Sequence, residues 1–437
     1  MKKALFLLCI SSLFSVLSAQ EYDISTYKAR YNRRPLLEIS PFFVYSNAFY
    51  NENRFGLKPN SFVNANLSAN WSESSNTDKR IRTISSSFGM GWQHRPPTTS
   101  SILDKEKQSN LDLSTHLTQF NYITPKWFWG ISAQVNASIF RIADVNSLVN
   151  GRNLVQIKPG LFAGIGRIEY AEDALLANWM VDDLLATGAI EQATVADRLA
   201  LAQRITSIIG NRTFDFRRRR IYELAQLRQV FLEQNATIHD DFLLFAVLND
   251  NWAFANRASL PNGEQVRIGL DLGMDYFTQK GRTSFGSRSY AQGRPYIEYT
   301  HARVLKNRAA GVWSATMALE HNERIAFDDS PGAIMYQDNF SSLSLSAAYN
   351  YIVLPSSRTR ISLFNEAVFE YSNAERTALP SVPAKEVMVS SKLVADYFIN
   401  NNLRAQLEAG FASNYGFDTE LLNFNPYFSF RFNYAVF

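Results

Sequence analysis

Asp112, Ser114 and His116 stand at alternate positions of one extended stretch and therefore share a face. They are the residue types of a nucleophile, its base and an acid. Catalysis of that kind needs the base within hydrogen-bond reach of the nucleophile and donors for an oxyanion, and no motif in the chain supplies either. The three lie on the polar phase of their strand, so the plainer reading is a hydrated wall. Metal chemistry has less support still. The five histidines, His94, His116, His239, His301 and His321, show no paired spacing. Asp328 and Asp329 precede Ser330-Pro331-Gly332, the composition of a solvated turn more than of a calcium loop. Cys9, the only cysteine, falls inside an apolar leader, which leaves the mature chain with neither disulfides nor thiolate sites. The expectation is a protein that is not an enzyme and takes no cofactor and no metal.

Two other sets of charge are more informative. Lys158, Arg267, Asp271, Asp275, Glu298, Arg360, Glu366, Glu370, Lys392, Asp396, Arg404 and Glu408 all fall on the polar phase of extended segments. Lining the interior of a wide barrel, they would hold water and pass small polar solutes, or pair across the interior and close it. The second set is the run Arg217, Arg218, Arg219 and Arg220 at the start of a helical segment. Successive helical residues are roughly 100° apart, so the run cannot face one way. Some must pair locally, with Glu169, Glu172, Asp173, Asp182 or Asp183 as candidates. The others reach solvent and are candidates for docking an acidic periplasmic partner.

The segments that carry these residues alternate with period two. Val63, Ala65, Leu67, Ala69 and Trp71 oppose Asn64, Asn66, Ser68 and Asn70. Ile131, Ala133, Val135, Ala137 and Ile139 oppose Ser132, Gln134, Asn136 and Ser138. Val266, Ile268, Leu270, Leu272 and Met274 alternate with Arg267, Asp271 and Asp275. Such runs reach ten residues or more, the length of a tilted membrane strand and longer than strands of a soluble sandwich. The pattern predicts about fourteen strands, six before and eight after an interruption: 36–48, 60–72, 79–94, 106–122, 125–142, 150–169, 262–278, 290–306, 309–324, 340–352, 357–371, 385–399, 402–416 and 424–437.

Connections after even-numbered strands are mostly tight, as at Thr124-Pro125, Lys306-Asn307, Pro355-Ser356 and Asn400-Asn401. Several of the others, such as His94 to Lys107 and Asn373 to Lys385, read as long loops. That asymmetry puts both termini and the tight turns on the periplasmic side. The exception is 170–261, where apolar residues recur at helical spacing: Leu176, Trp179, Met180 and Leu184, then Val195, Leu199, Ala202, Ile205 and Ile209, then Ile221, Leu224, Leu227 and Phe231. Gly188 and Gly210-Asn211 mark stops, Thr194 and Asp215 are candidate N-caps, and a further helix is expected near Asp241 to Phe254. About four amphipathic helices make a small bundle.

Lys2 and Lys3, the apolar stretch to Leu17, and Ser18-Ala19 before Gln20 form a secretory signal cleaved after Ala19. The division expected is a signal peptide over 1–19, barrel strands over 20–169, the helical insertion over 170–261 and further strands over 262–437. Aromatic residues make up 14% of the 437 positions, with 20 Tyr and 32 Phe, beside a slightly hydrophilic mean hydropathy. That balance excludes a helical membrane protein, and no later segment is long and apolar enough for a spanning helix. The net charge of +4 is small and interspersed, so no nucleic-acid partner is expected.

The signal, the alternating strands and the terminal Phe437 together resemble the outer-membrane β-barrel proteins of Gram-negative bacteria, over nearly all of the mature chain outside the insertion. The resemblance implies a transmembrane antiparallel barrel surrounded by outer-membrane lipid. It also implies that Phe437 helps the insertion machinery recognise the chain, although Phe437 stands out of phase with Phe428, Phe430, Phe432 and Tyr434. The reading that follows is a porin-like passive pore for small hydrophilic solutes, with the periplasmic bundle shaping its inner mouth. The alternative is an envelope scaffold whose bundle docks a periplasmic protein partner.

Overall fold

The computed structural model describes residues 23–52, 56–95, 106–144, 149–211, 216–252, 260–280, 285–305, 308–328, 336–376, 379–399, 403–417 and 421–435. The signal segment, Asp215, Asp329 and Phe437 lie outside them.

The alternating segments form fourteen antiparallel strands: β1 (Tyr31–Glu52), β2 (Gly56–Asn76), β3 (Arg80–Arg95), β4 (Glu106–Tyr122), β5 (Trp127–Asp144), β6 (Val149–Tyr170), β7 (Pro261–Lys280), β8 (Phe285–Leu305), β9 (Ala309–Asp328), β10 (Tyr336–Ser356), β11 (Thr359–Arg376), β12 (Leu379–Phe398), β13 (Leu403–Gly416) and β14 (Leu421–Ala435). Each pairs with its sequence neighbours, and β1 meets β14 to close a barrel. Among the described residues the closing seam sets Glu38 opposite Ala435 and Ile39 opposite Tyr434.

Closure explains the composition of the two faces. A spanning sheet must satisfy every backbone group internally, which leaves side chains alone to meet lipid. The outward phase is apolar around the barrel, and it is exposed: Met274 by 70%, Phe428 by 68% and Leu161 by 65%. A continuous apolar belt of this extent is stable only against another apolar medium. Near one end, Trp127, Trp129, Trp313 and Tyr397 project outward as an aromatic girdle, with Trp313 packed on Tyr349 at 4.2 Å between centroids.

The strands hold 14 to 22 residues, more than the nine to eleven or so that cross a bilayer. They therefore extend past the lipid, and this corrects one expectation. Asn373 to Lys385 is not a long loop, because β11 runs to Arg376 and β12 resumes at Leu379. Beyond the bilayer both faces meet water, so alternation lapses while backbone pairing continues.

The base of the barrel carries the start of β1, the tight turns and the insertion. Four helices follow β6: α1 (Glu172–Ala186), α2 (Val195–Gly210), α3 (Phe216–Glu233) and α4 (Asp241–Trp252). Gly188 takes a φ of 69° just after α1, the left-handed conformation that glycine tolerates. Thr194 and Asp197 cap α2 reciprocally. The Asp240 carboxylate accepts the Phe242 and Leu243 amides at the start of α4.

The apolar stripes of the helices meet in one core around Leu175, Met180, Leu201, Ile205, Leu227 and Leu244. That core continues into the barrel through Ala310 and Leu354, and into the N-terminal segment through Ile24, Tyr27 and Ala29. The bundle is thus docked on the base and not pendant from it.

Candidate functional site

Register places Lys158, Arg267, Asp271, Asp275, Glu298, Arg360, Glu366, Glu370, Lys392, Asp396, Arg404 and Glu408 on the phase of their strands that faces the barrel interior. It brings several together. Arg267 bridges Glu298 at 2.8 Å and Arg294 reaches Asp271 at 3.5 Å. Lys392 lies 3.9 Å from Glu408, and Arg404 lies 3.6 Å from Asp396 and 3.8 Å from Glu38. Asp275 accepts from Gln156, and Arg360 donates to Ser362. These bridges join strands that are adjacent or one apart, so they run along the wall and do not tie opposite walls. Lys158, Glu366 and Glu370 make no ion pair among the described residues.

A cavity of about 530 Å³ remains between them. Its wall runs from His116 and Thr118 on β4, through Lys158, Arg267, Asp271, Arg294 and Glu298, to Glu320 on β9 and Glu370 on β11. The volume lies within the range of small-ligand sites.

Toward the base the interior changes character, which the strand pattern did not announce. Along one lateral row the strands present Ile81, Phe120, Gly130, Phe162, Gly269, Tyr296 and Ala318. From Phe120 onward large and small residues alternate, and the Phe162 and Tyr296 rings lie over Gly130 and Gly269 of neighbouring strands. A Cβ at Gly269 would meet the Tyr296 ring at 2.6 Å. Phe120, Phe128 and Phe162 pack edge to face or tilted at 5.0–6.2 Å. Arg267 lies over the rings of Phe162 and Tyr296. Below this row is a second cavity of about 370 Å³, lined in part by Ile81, Phe120, Ile168, Ala302, Val312 and Ile352. Gln265, Thr300, Asn350 and Arg360 share the wall of that cavity.

The base itself is laced shut on one side. Arg167 on β6 donates to Asn76 and to the Thr77 and Asp78 carbonyls of the β2–β3 turn. Glu169 accepts both terminal nitrogens of Arg30 at 2.7 and 2.8 Å, and Arg30 also holds Asp78 at 2.6 Å. Residues 23–30 continue to β7, where Asn262 donates to the Ser25 carbonyl.

The bundle is held to the base by a buried latch. Arg34 of β1 pairs with Asp173 at 2.6 Å and with Glu172 at 3.4 Å. Asp173 accepts from Thr206 of α2 at 2.6 Å, and the Tyr27 hydroxyl meets Thr206 and the Ala202 carbonyl. Burial first, and then the neighbouring Asp173 charge, push the Glu172 carboxyl up to about 7 against the pull of Arg34.

The other candidates resolve as follows. Ser114 donates to Asn136 at 2.7 Å, His116 contacts Thr118 and Asp112 accepts from Asn110. The three therefore share a face without the nucleophile–base bond that hydrolysis needs. Of the arginine run, the side chains of Arg217 and Arg218 lie outside the described residues. Arg219 lies 3.5 Å from Glu223, and Arg220 donates to Asn249 at 2.8 Å. The acids expected as partners are taken elsewhere: Glu169 by Arg30, Glu172 and Asp173 by Arg34, Asp182 by Arg198, and Asp183 by Asn251. The reason is packing, since α3 lies against α2 and α4.

The closed antiparallel sheet, polar within and apolar without, decides the fold. The fold is a transmembrane antiparallel β-barrel. No protein-family model matches the barrel, and no curated protein does. Solved structures align with it at low similarity. The translocator domain of autotransporter NalP from Neisseria meningitidis is 8% identical, with 99% of this chain and 94% of that one covered and a TM-score of 0.30. An outer membrane channel from Pseudomonas putida F1 is 10% identical, over 96% and 98%, at 0.29. The outer membrane channel DcaP of Acinetobacter baumannii is 9% identical, over 96% and 100%, at 0.28. Likeness at this level carries no argument about function, which rests on the barrel's own geometry.

Proposed function

We propose that the barrel is an outer-membrane channel for small hydrophilic solutes, with the bundle and both termini in the periplasm. The observation that carries this reading is the direction of the interior bridges. They run along the wall and leave a polar cavity of about 530 Å³, where knitting across would have filled it. The aromatic row, the mixed chamber below it and the docked bundle then form the resistance at the inner mouth. Purified protein in a planar bilayer should give reproducible conductance steps, rarer for the full chain than for a chain lacking residues 172–258. Absence of steps from both would refute a channel.

One observation favours a second reading, an envelope scaffold. Phe242 is 79% exposed on α4, and Ile221 and Tyr222 on α3 are 69% and 62% exposed. Exposed apolar side chains at both ends of the α3–α4 pair, on a bundle this well buttressed, suit a protein partner. Under that reading, deletion of 172–258 removes co-purifying periplasmic proteins and leaves conductance unchanged. In either case Phe437 is the residue proposed to address the insertion machinery.

A further inference from the structure

The charges of the polar cavity are sorted by wall. On β7 and β8 two acids are committed to two arginines, Glu298 to Arg267 and Asp271 to Arg294. Those four charges cancel. What remains on that side is Lys158 of β6, which lines the cavity and makes no ion pair among the described residues. Farther along the cavity wall are Glu320 of β9 and Glu370 of β11, also without a cationic partner among the described residues. Glu370 lies within electrostatic reach of Glu320 and Glu386, and register sets it directly opposite Glu386. Like charges opposite each other on a sheet repel, and a cation between them relieves that. Among the described residues the cavity therefore offers one unpaired cation, with two unpaired anions three and five strands away.

The spacing selects the ligand. β6 and β9 are three strands apart, about 14 Å along the wall. A lysine and a glutamate reaching inward shorten this to a gap on the order of 5–10 Å. The ammonium and carboxylate of a single α-amino acid share one carbon and cannot span it. An extended chain of two or three residues, at about 3.5 Å per residue, does. We infer that the cavity binds short peptides with free termini, the carboxylate at Lys158 and the ammonium between Glu320 and Glu370. Arg294 and Tyr296 flank the cavity as sites for the peptide backbone. This inference rests on the reading of the lumen as a solute path, but only on its outer part, since binding does not require the base to open.

The test uses the full-length protein in detergent micelles and four probes: triglycine, N-acetyl-triglycine, triglycine amide and the doubly blocked peptide. Equilibrium dialysis or saturation-transfer NMR gives each affinity without relying on conductance. Triglycine should bind about tenfold more tightly than either singly blocked probe, the effect expected of one charge-assisted contact. Lys158→Gln should erase the preference for a free carboxylate and spare that for a free ammonium, with Lys158→Arg restoring it. Paired Glu320→Gln and Glu370→Gln should do the converse. A native heat-modifiable gel shift certifies each variant as folded. Equal affinity for the four probes, no binding at all, or a carboxylate preference that survives Lys158→Gln would overturn the inference. Bilayer steps alongside any of these results would leave the channel standing, and the expected binding without steps would refute the channel alone.

Discussion

Replacing Glu172 by Gln isolates a carboxyl at the base whose protonation is coupled to docking of the bundle. Its value rises from an ordinary 4.5 to about 7 when it is buried beside Asp173. A folded-state value above the free one means that the docked bundle holds the proton more tightly than the undocked one, so acid favours docking. The contribution is fully present below about 4.5 and is lost as pH rises through about 7. The difference corresponds to about 3 kcal/mol, most of which disappears between about pH 5 and pH 8. Amide exchange in α1 and α2, corrected for the intrinsic rate, should therefore accelerate by roughly 30- to 100-fold over that interval. Glu172→Gln has no proton to lose. Its protection should be flat and should match that of the native chain in acid. A native chain with no slope, or a variant that keeps the slope, would show that the latch does not titrate through this residue.

Gly269→Ala should displace the Tyr296 ring, which a Cβ would meet at 2.6 Å, and destabilise the barrel by about 1–3 kcal/mol. Gly293→Ala, with nothing within 4 Å, is the control, and the temperature at which the heat-modifiable gel shift is lost compares the two. Met274→Arg, at a position 70% exposed on the outer face, should cost about 2–4 kcal/mol if it sits near the bilayer midplane. Denaturant titration in vesicles measures this, and a negligible cost there would contradict a lipid-facing belt.

Much of this molecule was legible in its sequence, for a physical reason. A membrane strand records at every second residue whether it meets lipid or water, so Val266 to Met274 identifies both the strand and its outward face. The helices were legible because a 3.6-residue stripe and a cap are local properties, as Thr194 and Gly188 illustrate. Strand ends were not, since Asn373 to Lys385 lies where both faces meet water and pairing leaves no mark on composition. The aromatic row was hidden for another reason. Phe120, Phe162 and Tyr296 fall on the interior phase, and their sense depends on Gly130 and Gly269 of neighbouring strands, which only register reveals. The partners of Arg219 and Arg220 likewise depended on which helices pack together.

The strap formed by residues 23–30 bears on how the first strand is held. Its anchors, Asn76, Asp78, Glu169, Ala202, Thr206 and Asn262, all occur within the first 262 positions. Its apolar side chains Ile24, Tyr27 and Ala29 join the bundle core, which also takes in Ala310 and Leu354 of the later strands. The first strand is thus tied at its foot to the barrel base and the bundle, in addition to its seam with β14.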